Sequence, residues 1–247
     1  MNNCRKALCI LFWLAVWQLA ALFMDNQILL VGPWEVLKVL AESLGDPEFW
    51  LRILHSWTRI GVGFLSAFLM GLVLGSLSYW KRWIYDLINP PVMLMKTVPV
   101  ASVVILLLLW AGSQQLSAVI SFLVVFPSIY FGTYEGIGQT DGKLLEMAAV
   151  FRLPFVKKVW YIYRPFVLPF LESACKSAVG MSWKSGVAAE VIGIPEGAVG
   201  ERLYMAKIYL NTADLFAWTA VILVLSLISE KAVLWMLKKA GTGKGKK

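Results

Sequence analysis

The amino-acid sequence predicts an all-α polytopic membrane protein with about six transmembrane helices. Hydrophobic residues make up 59% of the 247 residues and charged residues only 15%, and the mean hydropathy is +0.71. A soluble fold of this length cannot bury so much apolar surface. One transmembrane helix needs about 20 mostly apolar residues, so the chain has room for roughly six spans and short connections within one domain, residues 1–247.

Six apolar runs supply the candidate spans. They are Leu8–Met24, Ile60–Tyr79, Pro91–Ala111, Leu116–Tyr134, Phe166–Ala189 and Ala213–Met236. The first run follows Arg5 and Lys6, so a secretory signal peptide is an alternative for it. Its length exceeds the usual apolar region of a signal peptide and no A-x-A cleavage site follows, which favours a transmembrane helix.

The basic residues predict the orientation of these spans. If both termini are cytoplasmic, the outside loops contain only Lys38, Arg52, Arg202 and Lys207, and most of the other Lys and Arg residues lie in inside segments. This distribution follows the positive-inside rule. We therefore expect a multi-pass protein of the cytoplasmic membrane with both termini inside. The formal charge of +8 then reflects topology, and we expect membrane lipid and no nucleic acid as a partner.

Two connections are long and patterned. The outside segment 25–58 contains Pro33 before the apolar-periodic stretch Trp34–Leu44, which predicts a short amphipathic helix on the outer surface. The inside segment 135–165 contains the helical pattern Lys143–Phe151, which we expect Pro154 to end. The tail, residues 240–247, is rich in Gly and Lys and lacks the spacing of a phosphate-binding loop, so we expect it to be flexible and any ATPase to be a separate subunit.

Charged residues inside the spans are candidates for function, because each costs about 2.5–3.5 kcal/mol at the bilayer centre. Lys184 should line a pathway or pair with an acid on a neighbouring helix, and Lys96 should snorkel to the interface or contact a solute. Glu172 and Lys176 have the spacing of a helical ion pair. The candidate pathway residues are Lys184, Trp183, Lys96 and Glu190.

Other residue types predict packing and not chemistry. Small residues recur at near-helical spacing on the second span and should permit close helix packing; they are Ser66, Gly71, Gly75 and Ser76. The three cysteines have no CxxC spacing and His55 is the single histidine, so we expect no metal site, no cofactor and no catalytic group.

The cytoplasmic segment carries a recognisable motif. It reads DGKLLEMAAVFRLP over Asp141–Pro154, then VKKVW over Val156–Trp160 and RPFVLP over Arg164–Pro169. This resembles the EAA loop of ABC-importer permeases, which has a Glu-Ala-Ala helix, a Gly six residues after the Glu, and a Leu-Pro further on. Glu146, Ala148 and Pro165 match the motif. The departures are Met147 at the first Ala, Arg152 at the Gly and Arg164 at the Leu.

Further segments resemble the nitrate/sulfonate/taurine branch of these permeases, over nearly the whole chain. They are LLVGP ending at Pro33, KTVP over Lys96–Pro99, Leu106–Trp110 with Gly112, and Trp183 followed by AAEVIG over Ala188–Gly193. The resemblance implies a type I ABC importer-like permease fold that carries a small, anionic solute across the membrane. It also implies two copies of an ATP-binding subunit, an extracytoplasmic solute-binding protein and a homodimer of the permease, with a heterodimer of two similar chains as the alternative. Related permeases carry pyrimidine vitamin precursors, so the identity of the solute stays open.

In that family the EAA helix docks into the ATP-binding subunit. The residues that would couple this chain to the ATPase are Glu146, Met147, Ala148, Phe151, Arg152, Leu153 and Pro154. Two other function classes remain at this point. An intramembrane enzyme would need a cluster of His, Asp or Glu at a membrane face, and a secondary transporter commonly carries internal repeats with interrupted helices.

Overall fold

The structure is a computed structural model that describes residues 3–24, 26 and 28–241. Its helices are α1 (Asn3–Met24), α2 (Pro33–Ser43), α3 (Pro47–Trp80), α4 (Arg82–Thr97), α5 (Val100–Gly138), α6 (Gly142–Val150), α7 (Phe155–Lys158), α8 (Arg164–Gly193), α9 (Val199–Ile208) and α10 (Thr212–Gly241). A π-helical turn, Val159–Tyr163, joins α7 to α8. These residues contain no strand, so the all-α prediction is confirmed. Most of the predicted basic tail lies outside the described residues.

Three helical segments are long and apolar enough to cross a bilayer. They are Pro47–Trp80, Gly112–Gly138 and Thr212–Ala240. A fourth candidate is the bent pair Arg82–Thr97 and Val100–Trp110, and α1 contains the shorter apolar stretch Leu8–Met24. Helix α8 has 30 residues and covers the predicted fifth span. It is less apolar than the three segments above because it contains the charged residues Glu172, Lys176, Lys184 and Glu190. The polytopic architecture is confirmed, and α1 and α8 lie at the first and fifth predicted spans, whose crossing of the bilayer stays a prediction.

The helix of the second span begins earlier than predicted. We expected the span to begin at Ile60, after an outside loop that ran to residue 58. In the structure α3 instead begins at Pro47. Asp46 caps this helix by accepting a hydrogen bond from the backbone N–H of Glu48 at 2.9 Å, and Pro47 occupies the first helical position. An Asp-Pro pair is a helix start signal that a search for apolar runs does not use.

The predicted third span, Pro91–Ala111, is wrong as a single helix. The chain bends by 108° between α4 and the first part of α5. Pro99 has no N–H to donate and disfavours helical geometry at Val98, which is extended with φ −69° and ψ 132°. A second break follows at Gly112, where φ is +67°. Residues 100–110 are therefore a short helix between two breaks, and the long central segment runs from Gly112 to Gly138.

The main core lies where α5 packs between α3 and α8. Its buried residues include Ala67, Val125, Ile129, Leu171 and Cys175. At the end opposite α6, the predicted amphipathic helix is present as α2 and packs through Val36 against Ala217 of α10. The bundle thus has two ends with different short helices. One end carries α6 and α7, and the other carries α2 and α9.

Candidate coupling surface and translocation pathway

The helix of the predicted coupling loop is present as α6. Asp141 caps it by accepting a hydrogen bond from the backbone N–H of Lys143 at 2.9 Å. Ala148 is fully buried and fixes α6 to the bundle, whereas Glu146 and Met147 are exposed. The loop therefore anchors one face of α6 and presents the other to solvent or to a partner.

The end of α6 differs from the prediction. Pro154 does not stop the helix, because α6 ends at Val150 and Arg152 adopts the left-handed conformation with φ +48°. The N–H of Leu153 donates to the carbonyl of Ala148 at 2.9 Å and the N–H of Arg152 donates to that of Ala149 at 3.0 Å. This is the Schellman pattern, whose left-handed position favours glycine. Arg152 occupies the position at which the resembling motif has Gly, and the geometry explains that preference.

Apolar side chains project from this loop. Val150 is 79% exposed, Phe151 71%, Phe155 60% and Val156 76%, and Met147 is also exposed. We call these five residues the coupling surface. An exposed apolar patch of this kind typically marks an interaction site. The sequence analysis missed Phe155 and Val156, although two apolar residues directly after Pro154 in a basic loop were a usable signal.

The coupling surface is joined to the bundle by aromatic contacts. The Trp80 ring at the end of α3 lies 5.4 Å from Phe155 and 6.1 Å from Tyr163. The Arg164 guanidinium stacks over Trp160 at 4.0 Å. Trp80 therefore connects α3 to the loop. The loop is thus in contact with the end of α3 and the start of α8 through packed rings.

Helix α8 has one exposed polar face. Ser173, Ser177, Met181, Lys184 and Ala188 are exposed at helical spacing, and we call them the α8 stripe. Among the described residues, no ion pair involves Lys184, and none forms between Glu172 and Lys176, so the predicted pair on this helix is wrong. Lys184 therefore meets the surroundings of the chain and not a buried acid.

Trp183 and Glu190 lie on the packed side of α8. Trp183 is buried with Ile60, Val179 and Val187, and it borders an apolar cavity of about 420 Å³ between α3, α8 and α10. Glu190 is fully buried. Neither residue shares the exposed face with Lys184. Both are enclosed by neighbouring helices, and their role in the pathway stays a prediction.

A second cavity holds Lys96. It has a volume of about 320 Å³ and lies between α4, α5 and α8. Lys96 is in the last turn of α4, and its Nζ lies 5.6 Å from the centre of the Phe131 ring. Ser173 and Ser177 of the α8 stripe line the same cavity, so the structure brings Lys96 close to the face that carries Lys184.

Glu190 belongs to a buried polar network at the α9 end. Its Oε2 accepts hydrogen bonds from Ser56 Oγ at 2.7 Å and from the Gly200 N–H at 3.2 Å. Ser56 Oγ in turn accepts from the Val199 N–H at 2.9 Å. These contacts fasten the start of α9 to α3 and α8. Ser56 was not predicted, because it fell within the outside segment 25–58 and a single serine gives no pattern.

Comparisons with known proteins agree with this architecture. Residues 67–236 match the family described as binding-protein-dependent transport system inner membrane component. The chain is 25% identical to the "Putative aliphatic sulfonates transport permease protein SsuC" of Bacillus subtilis (strain 168), over 92% of this chain and 82% of that protein. It is 24% identical to the taurine transport system permease protein TauC of Escherichia coli (strain K12), over 87% and 80% of the two chains. It is 26% identical to the bicarbonate transport system permease protein CmpB of Synechococcus elongatus, over 76% and 68%.

A solved structure has the same fold. A chain of the MetNI methionine ABC transporter, crystallised in an inward-facing conformation, superposes with a TM-score of 0.54 and 17% identity. The match covers 78% of this chain and 99% of that chain. The predicted type I importer-like permease fold is thereby confirmed.

Proposed function

The chain belongs to the family of binding-protein-dependent transport system inner membrane components, and from this premise we propose that it forms the translocation pathway of an ATP-driven importer. In this role an extracytoplasmic binding protein delivers the solute, and two copies of an ATP-binding subunit supply the energy. The chain itself is a transport subunit and not an enzyme. The observation that carries the proposal is the coupling surface, an exposed apolar patch on a short helix that is fixed to the bundle.

Energy transfer requires a rigid contact between the ATPase and the spans. An apolar helix face can seat in a groove of a partner, and Glu146 is exposed on the same helix. Buried Ala148 and the packed rings of Trp80, Phe155 and Tyr163 hold the loop against the bundle. In this proposal the loop and α3 move together. We therefore assign the coupling role to this loop and place it, with both termini, on the cytoplasmic side.

The pathway requires a second copy of the chain. The exposed α8 stripe carries Lys184, and a charge facing lipid near the bilayer centre is unfavourable. The stripe is accommodated if it faces water between two copies related by symmetry. A homodimer with the α8 stripes on either side of the pathway satisfies this requirement.

The solute we propose is a small anion of the sulfonate, taurine or bicarbonate type. Permeases named for these three solutes are among the relatives of this chain. The exposed cations Lys96 and Lys184 give the proposed pathway a positive potential, which raises the local concentration of anions.

Co-purification with the ATP-binding subunit tests the coupling role. Phe151→Ser removes one ring from the coupling surface, and we expect ATPase stimulation and recovery of the complex to fall roughly tenfold, as for loss of an interface hot spot. Tyr209→Ser is a matched control at the opposite end of the bundle. Phe151 ends α6 with φ −80° and ψ 4°, and Tyr209 ends α9 with φ −82° and ψ 3°, with similar exposures of 71% and 77%.

Equal ATPase stimulation and equal recovery of the complex for Phe151→Ser and Tyr209→Ser would show that the loop has no role in coupling. Failure of the wild-type chain to recover any ATP-binding subunit would reject the proposed function itself. Ala148→Asp is a poor test, because a carboxylate at this fully buried position disrupts α6 whatever its role.

A further inference from the structure

The cavity around Lys96 has the composition of a binding site. Its lining includes Lys96 from α4, Ser128 and Glu135 from α5, and Ser173 and Ser177 from α8. Polar groups from three helices thus converge on one volume of about 320 Å³, which is large enough for a small oxyanion and several waters. Lys96 is the single cation in that lining, and no carboxylate of the described residues is within ion-pair distance of its Nζ.

In the described part of the chain, the serine hydroxyls of this cavity donate no hydrogen bond to a carbonyl of their own helices, as is also true of the buried hydroxyls of Ser78, Ser117 and Ser229. Several other serines of the bundle do form such bonds. Ser66, Ser76 and Ser182 donate hydrogen bonds to carbonyls of their own helices at 2.7–2.9 Å. Such bonds satisfy a hydroxyl in an apolar environment. Within the part of the chain that the structure describes, Ser128 and Ser173 form no hydrogen bond, and Ser177 has only a long contact of 4.0 Å with the Met181 sulfur. The cavity therefore presents hydroxyl donors that are free to bind a ligand.

We infer that this cavity is a transit site for a small oxyanion, with the Lys96 ammonium supplying the charge and the hydroxyls of Ser128, Ser173 and Ser177 supplying the hydrogen bonds. The identification of this ligand with the transported solute rests on the proposed function. A sulfonate or carboxylate offers acceptor oxygens only, which matches the one ammonium group and three hydroxyls of the lining; the Glu135 carboxylate in the same lining opposes an anion.

Glu135 places a negative charge on one side of the cavity. It lies one helical turn beyond Phe131 along α5, towards the end that carries α6, and it lines the same cavity. An anion held at Lys96 meets a repulsive carboxylate on its way to that end. We expect this repulsion to weaken anion binding on the side of the cavity near Glu135.

Thiol modification of the assembled complex tests the site without knowledge of the natural solute. Ser177→Cys is made with the native thiols removed by Cys4→Ser, Cys9→Ser and Cys175→Ala. Two methanethiosulfonate reagents are compared, an anionic one bearing an ethylsulfonate group and a cationic one bearing a trimethylammonioethyl group. Each forms a disulfide with the cysteine and releases methanesulfinate, so the ratio of the two rates reports the local preference for an anion.

We expect Lys96→Gln to lower the anionic-to-cationic rate ratio by about tenfold, as for loss of one charge a few ångströms from the reacting sulfur. Lys96→Arg should preserve the ratio. Lys231→Gln, which removes an exposed charge from α10 outside the cavity, should leave it unchanged. An unchanged ratio in Lys96→Gln, or a Ser177→Cys side chain that neither reagent modifies, would overturn the inference.

The same preparations separate this inference from the proposed function. If the wild-type complex assembles with its ATPase while Lys96→Gln leaves the rate ratio unchanged, the transit site is wrong and the proposed function stands. If the chain recovers no ATP-binding subunit while the ratio depends on Lys96, the anion site stands and the proposed function fails.

Discussion

Glu190 shows how a buried carboxylate can hold an element in place. Its Oε2 receives hydrogen bonds from Ser56 Oγ and from the Gly200 N–H, and Val199 donates to the same serine. The side chain is fully buried, so water cannot replace these bonds without opening the α9 end of the bundle. Each buried polar group left unsatisfied costs about 1–3 kcal/mol. The network therefore stabilises the attachment of α9 to α3 and α8.

Replacing Glu190 by Ala should lower the thermal unfolding midpoint of the purified complex by several degrees, because two donors lose their acceptor. Glu190→Gln has an amide oxygen that still accepts hydrogen bonds, so its unfolding midpoint should fall by less than that of Glu190→Ala. Glu196→Gln is the control, since Glu196 is exposed in the same connection. A midpoint for Glu190→Ala equal to that of the control would show that the network does not stabilise the fold.

Arg152 carries backbone strain that a single substitution can remove. A left-handed conformation costs an L-residue other than glycine roughly 1 kcal/mol. We expect Arg152→Gly to slow hydrogen exchange at the Arg152 and Leu153 amides, which close the end of α6, whereas Arg152→Val should accelerate it. Faster exchange in Arg152→Gly would mean that the Arg152 side chain stabilises the loop by more than the strain costs.

Sequence reasoning predicted a coupling loop whose helix is present as α6, and it grouped pathway candidates that lie on different faces of α8. The loop was recognisable because its motif is contiguous along the chain. Trp183 and Glu190 are seven residues apart and share a helix face, and each lies about 100° or more around α8 from Lys184. Helical phase alone would have separated them from Lys184. Sequence proximity was a poor guide here because adjacent helical residues point in different directions.

Close packing of α3 on α5 depends on glycines at particular positions. A Cβ built on Gly63 would lie 2.2 Å from the carbonyl oxygen of Ala118, and one on Gly75 would lie 2.7 Å from that of Tyr130. The obstacle in both cases is backbone, which cannot move aside as a side chain does. Gly71 and Gly75 were expected from their spacing on the second span. Gly63 was missed, because the residue that excludes a side chain belongs to another helix.

Gly63→Ala should therefore separate α3 from α5 and reduce the yield and thermal stability of the complex. Gly61→Ala is a matched control two residues away on the same helix, where a new Cβ meets no atom within 4 Å. Glycine is less favourable than alanine within a helix by about 1 kcal/mol, so the control should be neutral or stabilising. Equal stability of the two variants would show that the helices repack without cost.

The broken third span marks a limit of hydropathy patterns. The run Pro91–Ala111 is predominantly apolar, so an averaging window shows one span. Pro99 and Gly112 were visible in that region, and the structure bends or breaks the helix at both. Composition predicts how much chain is apolar, but the direction of that chain is decided by local backbone chemistry.

At the scale of the whole molecule, the bilayer makes the isolated chain an incomplete unit. The α8 stripe would expose Lys184 to lipid, although a second copy could enclose it around water. The sequence predicted the charge and its two possible roles. The absence of an ion pair to Lys184 among the described residues favours a pathway over a structural pair. That choice depends on contacts between helices, which a single sequence does not contain.

Lys184→Met tests whether Lys184 lines the pathway or forms a structural ion pair. If Lys184 faces the water-filled pathway, its removal leaves no carboxylate stranded, so the complex should assemble as well as the wild type while ATP-driven uptake of a small anion such as taurine falls at least about tenfold. Lys184→Arg keeps the charge and should retain most of the uptake. Assembled complex is measured by size-exclusion chromatography and uptake in proteoliposomes. Poor assembly of Lys184→Met would instead indicate a buried ion pair, since loss of one partner is strongly destabilising. Normal assembly with normal uptake would exclude both roles.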